Sequence, residues 1–289
     1  MIQTFLIMLR EGVEASLVVG ILVGYLVRTG HSERLKAVWV GVGAAAALSL
    51  GAGFLLSVVT NNLDTFKLQE TFGGVMLLIA VAFVTWMVFW MRTQSRNIKG
   101  ELHDQMHEAI SMGALSVGLC GFIAVGREGL ESALFLWPTF RAAGSDAGAG
   151  PTIGAVLGLA AAILIGYLLY KGGLHLNLGL FFKLTGAALV VIAAGVLAYG
   201  IHDLQEAGYL GGMNHLAFDV REQIPPSSWY GTLLKGIFNI SPQMSWFEVI
   251  SYLAYLIPTM VLFLRPLHPS GPTESSIKPH EQAAGSVAA

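Results

Sequence analysis

Apolar residues fall in seven long stretches separated by shorter polar ones: roughly 2–27, 37–59, 70–91, 112–141, 152–170, 180–201 and 246–264. A helix needs about 20 mostly apolar residues to cross a bilayer. The pattern therefore predicts an all-α integral membrane protein with seven transmembrane helices, forming one domain over 1–264. The fourth stretch is too long for a simple span. Either its first part is an interfacial helix running on from 101–111, or the helix tilts. Residues 1–9 carry no positive charge and the first run soon meets Arg10, which reads as a retained first helix rather than a cleaved signal. The remainder, 265–289, is rich in Pro, Ser, Gly and Ala and is expected to be a disordered cytoplasmic tail. The 202–245 connection contains Pro225-Pro226 and is long enough to form a cap over the outer mouth.

Composition narrows the class. The 289 residues are 54% hydrophobic and only 12% charged, against roughly 25% charged in soluble domains, and the mean hydropathy is +0.66. The single cysteine, Cys120, excludes an internal disulfide. Eight histidines avoid the middle of the spans, which argues against a bis-histidine haem protein. No P-loop pattern occurs, so this chain alone is not expected to be ATP-driven. No nucleic-acid partner is expected either. Loops 28–36, 92–111, 171–183 and the tail hold ten Lys and Arg, while loops 60–70, 138–151 and 202–248 hold four, Arg141 among them. That asymmetry puts the N-terminus outside and the C-terminus in the cytoplasm. The outer loops also hold eight acids, including Glu70, Asp203, Glu206 and Glu248. Such a surface concentrates cations.

Two near-identical charged strings interrupt the apolar pattern. Arg10-Glu11-Gly12-Val13-Glu14 lies in the first stretch, and Arg127-Glu128-Gly129-Leu130-Glu131 lies 117 residues later, in the fourth. Charge at membrane depth is expensive and marks ion or substrate paths. The segment Gly41–Ala47 also resembles Gly154–Ala160. Together these predict a 3+3 inverted repeat plus one helix: repeat one about 1–110, repeat two about 111–210, and the seventh helix 246–264. The site is then expected where the repeats meet. Aligning the copies puts Pro138 opposite Ile21, where a kink is expected.

On a helix, Glu11 shares a face with Glu14, and Glu128 with Glu131; Arg10 reaches Glu14 and Arg127 reaches Glu131 at i,i+4. Gly12 and Gly129 remove a side chain between the acids and let helices approach. Facing repeats would bring four carboxylates together with two guanidinium groups. An all-oxygen site favours hard ions such as Mg, Ca, Mn or ferric iron. Arg10 and Arg127 would balance charge and hold the carboxylates ionised. The competing reading is a set of salt bridges that only lock the helices together.

The doubled Arg-Glu-Gly-x-Glu string in the first and fourth of seven helices resembles the signature of the oxidase-dependent iron permeases, which include fungal high-affinity and bacterial EfeU-type members. The resemblance covers the chain to about residue 264. It implies an iron transporter of a cell membrane, the inner membrane in a bacterium, with iron as transported substrate and no permanently bound cofactor. It implies that Glu11, Glu14, Glu128 and Glu131 bind iron in transit. Iron would arrive as Fe(II), be oxidised by an external partner, and cross as Fe(III). The partner would be a multicopper oxidase, or a periplasmic cupredoxin-like protein with a haem peroxidase. Transport of another divalent cation such as manganese, an intramembrane ferroxidase, and a structural subunit docking an oxidase are the rivals.

A secondary relay is expected at the outer side. His202, Asp203 and Glu206 close the sixth helix as a one-face cluster, with Glu70 at the outer start of the third as a further partner. The bland alternatives are polar helix-end residues and an N-terminal acid favoured by the helix dipole. His103 and His107 have chelating i,i+4 spacing, although a solvated amphipathic cytoplasmic helix is the favoured reading of them. Met8, Met76, Met87, Met91 and Met112 are read as packing. The six tryptophans lie near span ends, as in aromatic belts.

Overall fold

The structure, a computed structural model, describes residues 1–61, 65–94, 109–143, 148–172, 177–213, 215–224, 231 and 240–265. Seven long helices dominate these residues. They are α1 (Ile2–Arg28), α2 (Leu35–Asn61), α3 (Phe66–Gln94), α4 (Ala114–Ala143), α5 (Gly150–Tyr170), α6 (Leu178–Glu206) and α7 (Trp246–Leu264). Each falls on one of the seven apolar stretches. Five segments, 32–59, 66–91, 150–170, 179–206 and 246–264, are long and apolar enough to cross a membrane. The other two helices, α1 and α4, carry the charged strings. Large apolar side chains such as Leu50, Phe54, Leu115, Ile123, Ile163 and Leu184 face outward, as a lipid-facing surface requires. The chain is an all-α membrane protein; among the described residues the one exception is a two-stranded ribbon described below.

Local chemistry explains several boundaries. The over-long fourth stretch is divided at Gly113, whose φ of +111° only glycine adopts freely. Residues 109–112 are helical and α4 starts afresh at Ala114. Residues 101–108, with His103 and His107, lie outside the described residues, as do Pro225-Pro226 and the 266–289 tail. Pro138 lies inside α4 and Pro258 inside α7; each lacks the N–H that would continue the helical ladder. At the start of α7, Ser245 Oγ accepts from the Glu248 N–H at 3.3 Å, the first half of a capping box. The sixth helix runs five residues past the apolar stretch, to Glu206, so His202–Glu206 close it as its final turns.

The 202–245 connection contains two short antiparallel strands, β1 (Leu216–Asp219) and β2 (Gln243–Ser245), with an irregularity between Leu216 and Phe218. The Trp246 N–H also donates to the His215 carbonyl at 3.2 Å. The ribbon pins the start of α7 to the chain leaving α6.

Helix packing follows an exchange. α1 packs mainly on α5, and α2 on α4; α3 packs on α6, and α1 crosses α4. Small residues permit these close approaches, as expected where lipid supplies no hydrophobic drive between helices. A Cβ on Gly41 of α2 would strike the Gly118 carbonyl of α4, and one on Gly154 of α5 would strike the Met1 carbonyl. The main core lies between α1, α3, α4, α6 and α7, around Ile7, Leu77, Met87, Phe135, Val190 and Phe263. α7 flanks α6 and ties to α3 through a 2.6 Å hydrogen bond between the Thr85 and Tyr255 hydroxyls.

Candidate functional site

The crossing of α1 and α4 brings the two charged strings together. Arg10, Glu11 and Glu14 are 2%, 1% and 5% exposed, and Glu128 and Glu131 are 8% and 5% exposed. One carboxylate oxygen each from Glu11, Glu128 and Glu131 lies within 4.8 Å of the others. Glu14 stands beside this trio rather than in it. Its Oε1 is 3.2 Å from Arg10 Nη2, at ion-pair distance but without hydrogen-bond alignment.

The two arginines are held differently. Arg10 Nη1 donates to Glu11 Oε1, although adjacent helical residues point about 100° apart; the long side chain bends across. Its Nη2 faces the sulfurs of Met87 and Met91 on α3, at 3.3 and 2.6 Å. Arg127 donates from Nε to Glu131 Oε1 at 3.0 Å, and its side chain is 42% exposed. Its guanidinium carbon lies 3.9 Å from the centre of the Trp90 ring, a cation–π geometry.

The motif glycines act between helices. A Cβ on Gly12 would come 2.6 Å from Ala162 Cβ on α5, and one on Gly129 would strike Ser49 on α2. They set the approach to a neighbouring helix.

Glu11 Oε2, both Glu14 oxygens, Glu128 Oε2, Glu131 Oε2 and Arg10 Nε are buried with no hydrogen-bond partner among the described residues. Two guanidiniums face four carboxylates, so negative charge is in excess. Unpaired buried charge costs several kcal/mol per ion. A hard cation among these oxygens offsets that cost, and the all-oxygen donor set suits Mg, Ca, Mn or ferric iron.

The expected outer relay separates into two sets. Asp203 of α6 and Glu70 of α3 both meet Arg141 of α4, at 3.0 and 3.1 Å. His202 instead turns to Glu248 of α7, Nδ1 to Oε1 at 3.1 Å, with Glu206 at 3.5 Å from Nε2. Ser245 Oγ donates to Gln205 Oε1 at 2.9 Å and also contacts Glu248. Arg141 and Glu248, assigned to outer loops from hydropathy, are therefore members of the two sets. The Ser245-x-x-Glu248 spacing was a legible signal for the latter. Between the outer sets and the carboxylate core lies a small cavity, walled by Ile7, Val81, Phe135, Pro138, Leu189 and Val196 among others. Its lining is almost wholly apolar.

Long apolar helices enclosing charged groups from two of their number define an ion-handling membrane protein. The model of the iron permease FTR1 family matches residues 1–269, and the chain belongs to that family. It is 43% identical over 269 residues to the "Ferrous iron permease EfeU" of Escherichia coli O6:K15:H31 (strain 536 / UPEC), covering 92% of this chain and 96% of the relative. It is 40% identical over 269 residues to the protein of the same name from Yersinia pestis, covering 92% and 94%. No solved structure matches.

Proposed function

We propose that this protein moves iron into the cytoplasm through a carboxylate site shared by Glu11, Glu14, Glu128 and Glu131. The observation that carries this reading is the meeting of buried oxygens from both strings at one helix crossing. Family membership and the ferrous iron permease relatives support iron as the cargo. In this reading the protein is a transporter rather than an enzyme, and iron is its substrate rather than a resident cofactor.

The proposed architecture is seven spans in a bacterial inner membrane, N-terminus outside, arranged as a 3+3 inverted repeat plus one. Loop charge supports the orientation. The packing pattern supports the repeat, because exchanging α1 with α4, α2 with α5 and α3 with α6 maps the α1–α5 contact onto α4–α2. The glycine contacts agree in register. Gly12 meets Ala162, and Gly129 meets Ser49; the motif copies lie 117 residues apart and the second helices 113 apart.

Iron arrives as Fe(II), as the relatives' names suggest, and crosses as Fe(III) after an external oxidase has taken one electron. The hard oxygen donor set favours the ferric ion. Radioiron uptake into cells expressing Glu131→Ala or Glu14→Ala tests the site. Uptake is expected to vanish while both variants still reach the membrane; normal uptake by either would sink the proposal. Repeating wild-type uptake with the oxidase partner omitted tests the redox step. Unchanged uptake then favours Fe(II) as the crossing ion.

A further inference from the structure

The outer Glu70–Asp203 pair already holds a cation, supplied by the protein itself. Arg141 lies in the last turn of α4, ten residues beyond Glu131. Its guanidinium spans acids from two other helices, with Nη2 3.1 Å from Glu70 Oε2 and Nε 3.0 Å from Asp203 Oδ2. Nη2 also donates to the Gln69 carbonyl at 3.4 Å. The seat is shaped for it: a Cβ on Gly73 of α3 would overlap the guanidinium, with Nη2, Cζ and Nε all too close. The next residue, Gly74, has a different task. A Cβ there would come 3.0 Å from the Gly200 carbonyl, so it sets the α3–α6 distance. Two consecutive glycines thus bring two acid-bearing helices together and leave a slot for a side chain from a third.

The slot is not saturated. The Asp203 side chain is 1% exposed, and its Oδ1 is buried with no hydrogen-bond partner among the described residues. Two carboxylates against one guanidinium leave one negative charge over. Guanidinium is a broad, weakly hydrated cation, whereas a small multivalent metal ion bonds both carboxylates at once and draws on the idle oxygen. Arg141 also sits three residues beyond Pro138, where the α4 ladder lacks a donor. The last turn that carries Arg141 is joined to the helix by one hydrogen bond fewer.

We propose that Arg141 is a tethered stand-in for the arriving metal ion, occupying the Glu70–Asp203 pair until a metal displaces it. Competition from the tether keeps metal binding at the outer pair weak, which suits a waypoint that must release its ion onward. It also favours ions of high charge density over monovalent ones. This builds on the reading that metal ions pass the outer end of the bundle, yet its test needs no transport.

The probe is Mn(II), whose free and bound forms differ in their electron paramagnetic resonance signal. Binding is measured on the purified full-length chain in the Glu131→Gln background, so that the core contributes little. Adding Arg141→Ala is expected to tighten one Mn(II) site by tenfold or more. Gly73→Ala, which leaves every charge in place and only evicts the guanidinium, is expected to do the same. Asp203→Asn should abolish the gain in both. If Arg141→Ala fails to yield monodisperse protein, Gly73→Ala decides alone. Unchanged or weaker Mn(II) binding in folded Gly73→Ala protein would make Arg141 a helix clamp and overturn the proposal. Loss of radioiron uptake in Glu131→Gln bears only on the core reading, so the two can fail separately.

Discussion

The two charged strings are nearly the same in sequence and unlike in surroundings. In α1, Arg10 is enclosed, grips Glu11 and Glu14, and rests on two methionine sulfurs. In α4, Arg127 pairs with Glu131, the one acid at ion-pair distance from it among the described residues, remains 42% exposed on its side chain, and stacks on Trp90. One element makes the difference, because Met87, Trp90 and Met91 all lie in the C-terminal half of α3. A symmetric pair of strings therefore sits in an asymmetric frame. The first copy is locked, with its charge compensation fixed in place. The second has a partly open arginine that can leave its carboxylate without abandoning a buried position.

The largest expected break in this comparison comes from removing each arginine. Arg10→Ala strands Glu11 and Glu14 in the interior and should cost about 3–5 kcal/mol, lowering membrane yield and thermal stability in detergent. Arg127→Ala should fold with a much smaller loss and show its effect in radioiron uptake. Equal destabilisation of the two would erase the distinction drawn between the copies.

A smaller contrast lies in the glycines. Gly12→Ala forces a Cβ against the fixed Ala162 Cβ at 2.6 Å, an overpacking penalty of about 1–3 kcal/mol that Ala162→Gly should relieve. Gly129→Ala meets Ser49, whose hydroxyl can rotate away, and should melt closer to wild type. Smaller again, Trp90→Ala removes a cation–π contact worth about 0.5–2 kcal/mol. It should leave Arg10 and the fold intact while changing the concentration dependence of uptake. The smallest effect belongs outside the bundle. Arg221 holds the Asp219 carboxyl below its ordinary range, chiefly by a side-chain hydrogen bond. Such a depressed group contributes stability at higher pH that is lost as pH falls through its folded value. Arg221→Ala should return the Asp219 titration, followed by NMR, to the ordinary carboxylate range. Uptake should not change.

Periodicity and charge made much of this legible. The seven apolar stretches coincide with seven helices, and the doubled string marks the crossing where the buried acids meet. What escaped did so for physical reasons. Arg141 falls where the fourth apolar stretch and the 138–151 connection overlap, so hydropathy does not assign it to helix or loop, whereas α4 continues to Ala143. Its function depends on Gly73 from a distant helix, and no local spacing encodes that pairing. Glu248 carried a capping signal at 245–248, yet its pairing with His202 spans 46 residues. The β1–β2 ribbon is too short for alternation to stand out. Met87 and Met91 are packing residues, as expected, in the main apolar core, and their sulfurs also face the Arg10 guanidinium.

The small apolar cavity beside Ile7, Val81 and Phe135 has a bearing on energy conservation. A permanently hydrated column reaching carboxylates at mid-membrane would also conduct protons, passed from water to water down the membrane potential. Narrow apolar constrictions shed water. On the proposed function, an apolar stretch that stays dry would break that proton wire and leave the acids usable for ions in an energised membrane without short-circuiting it.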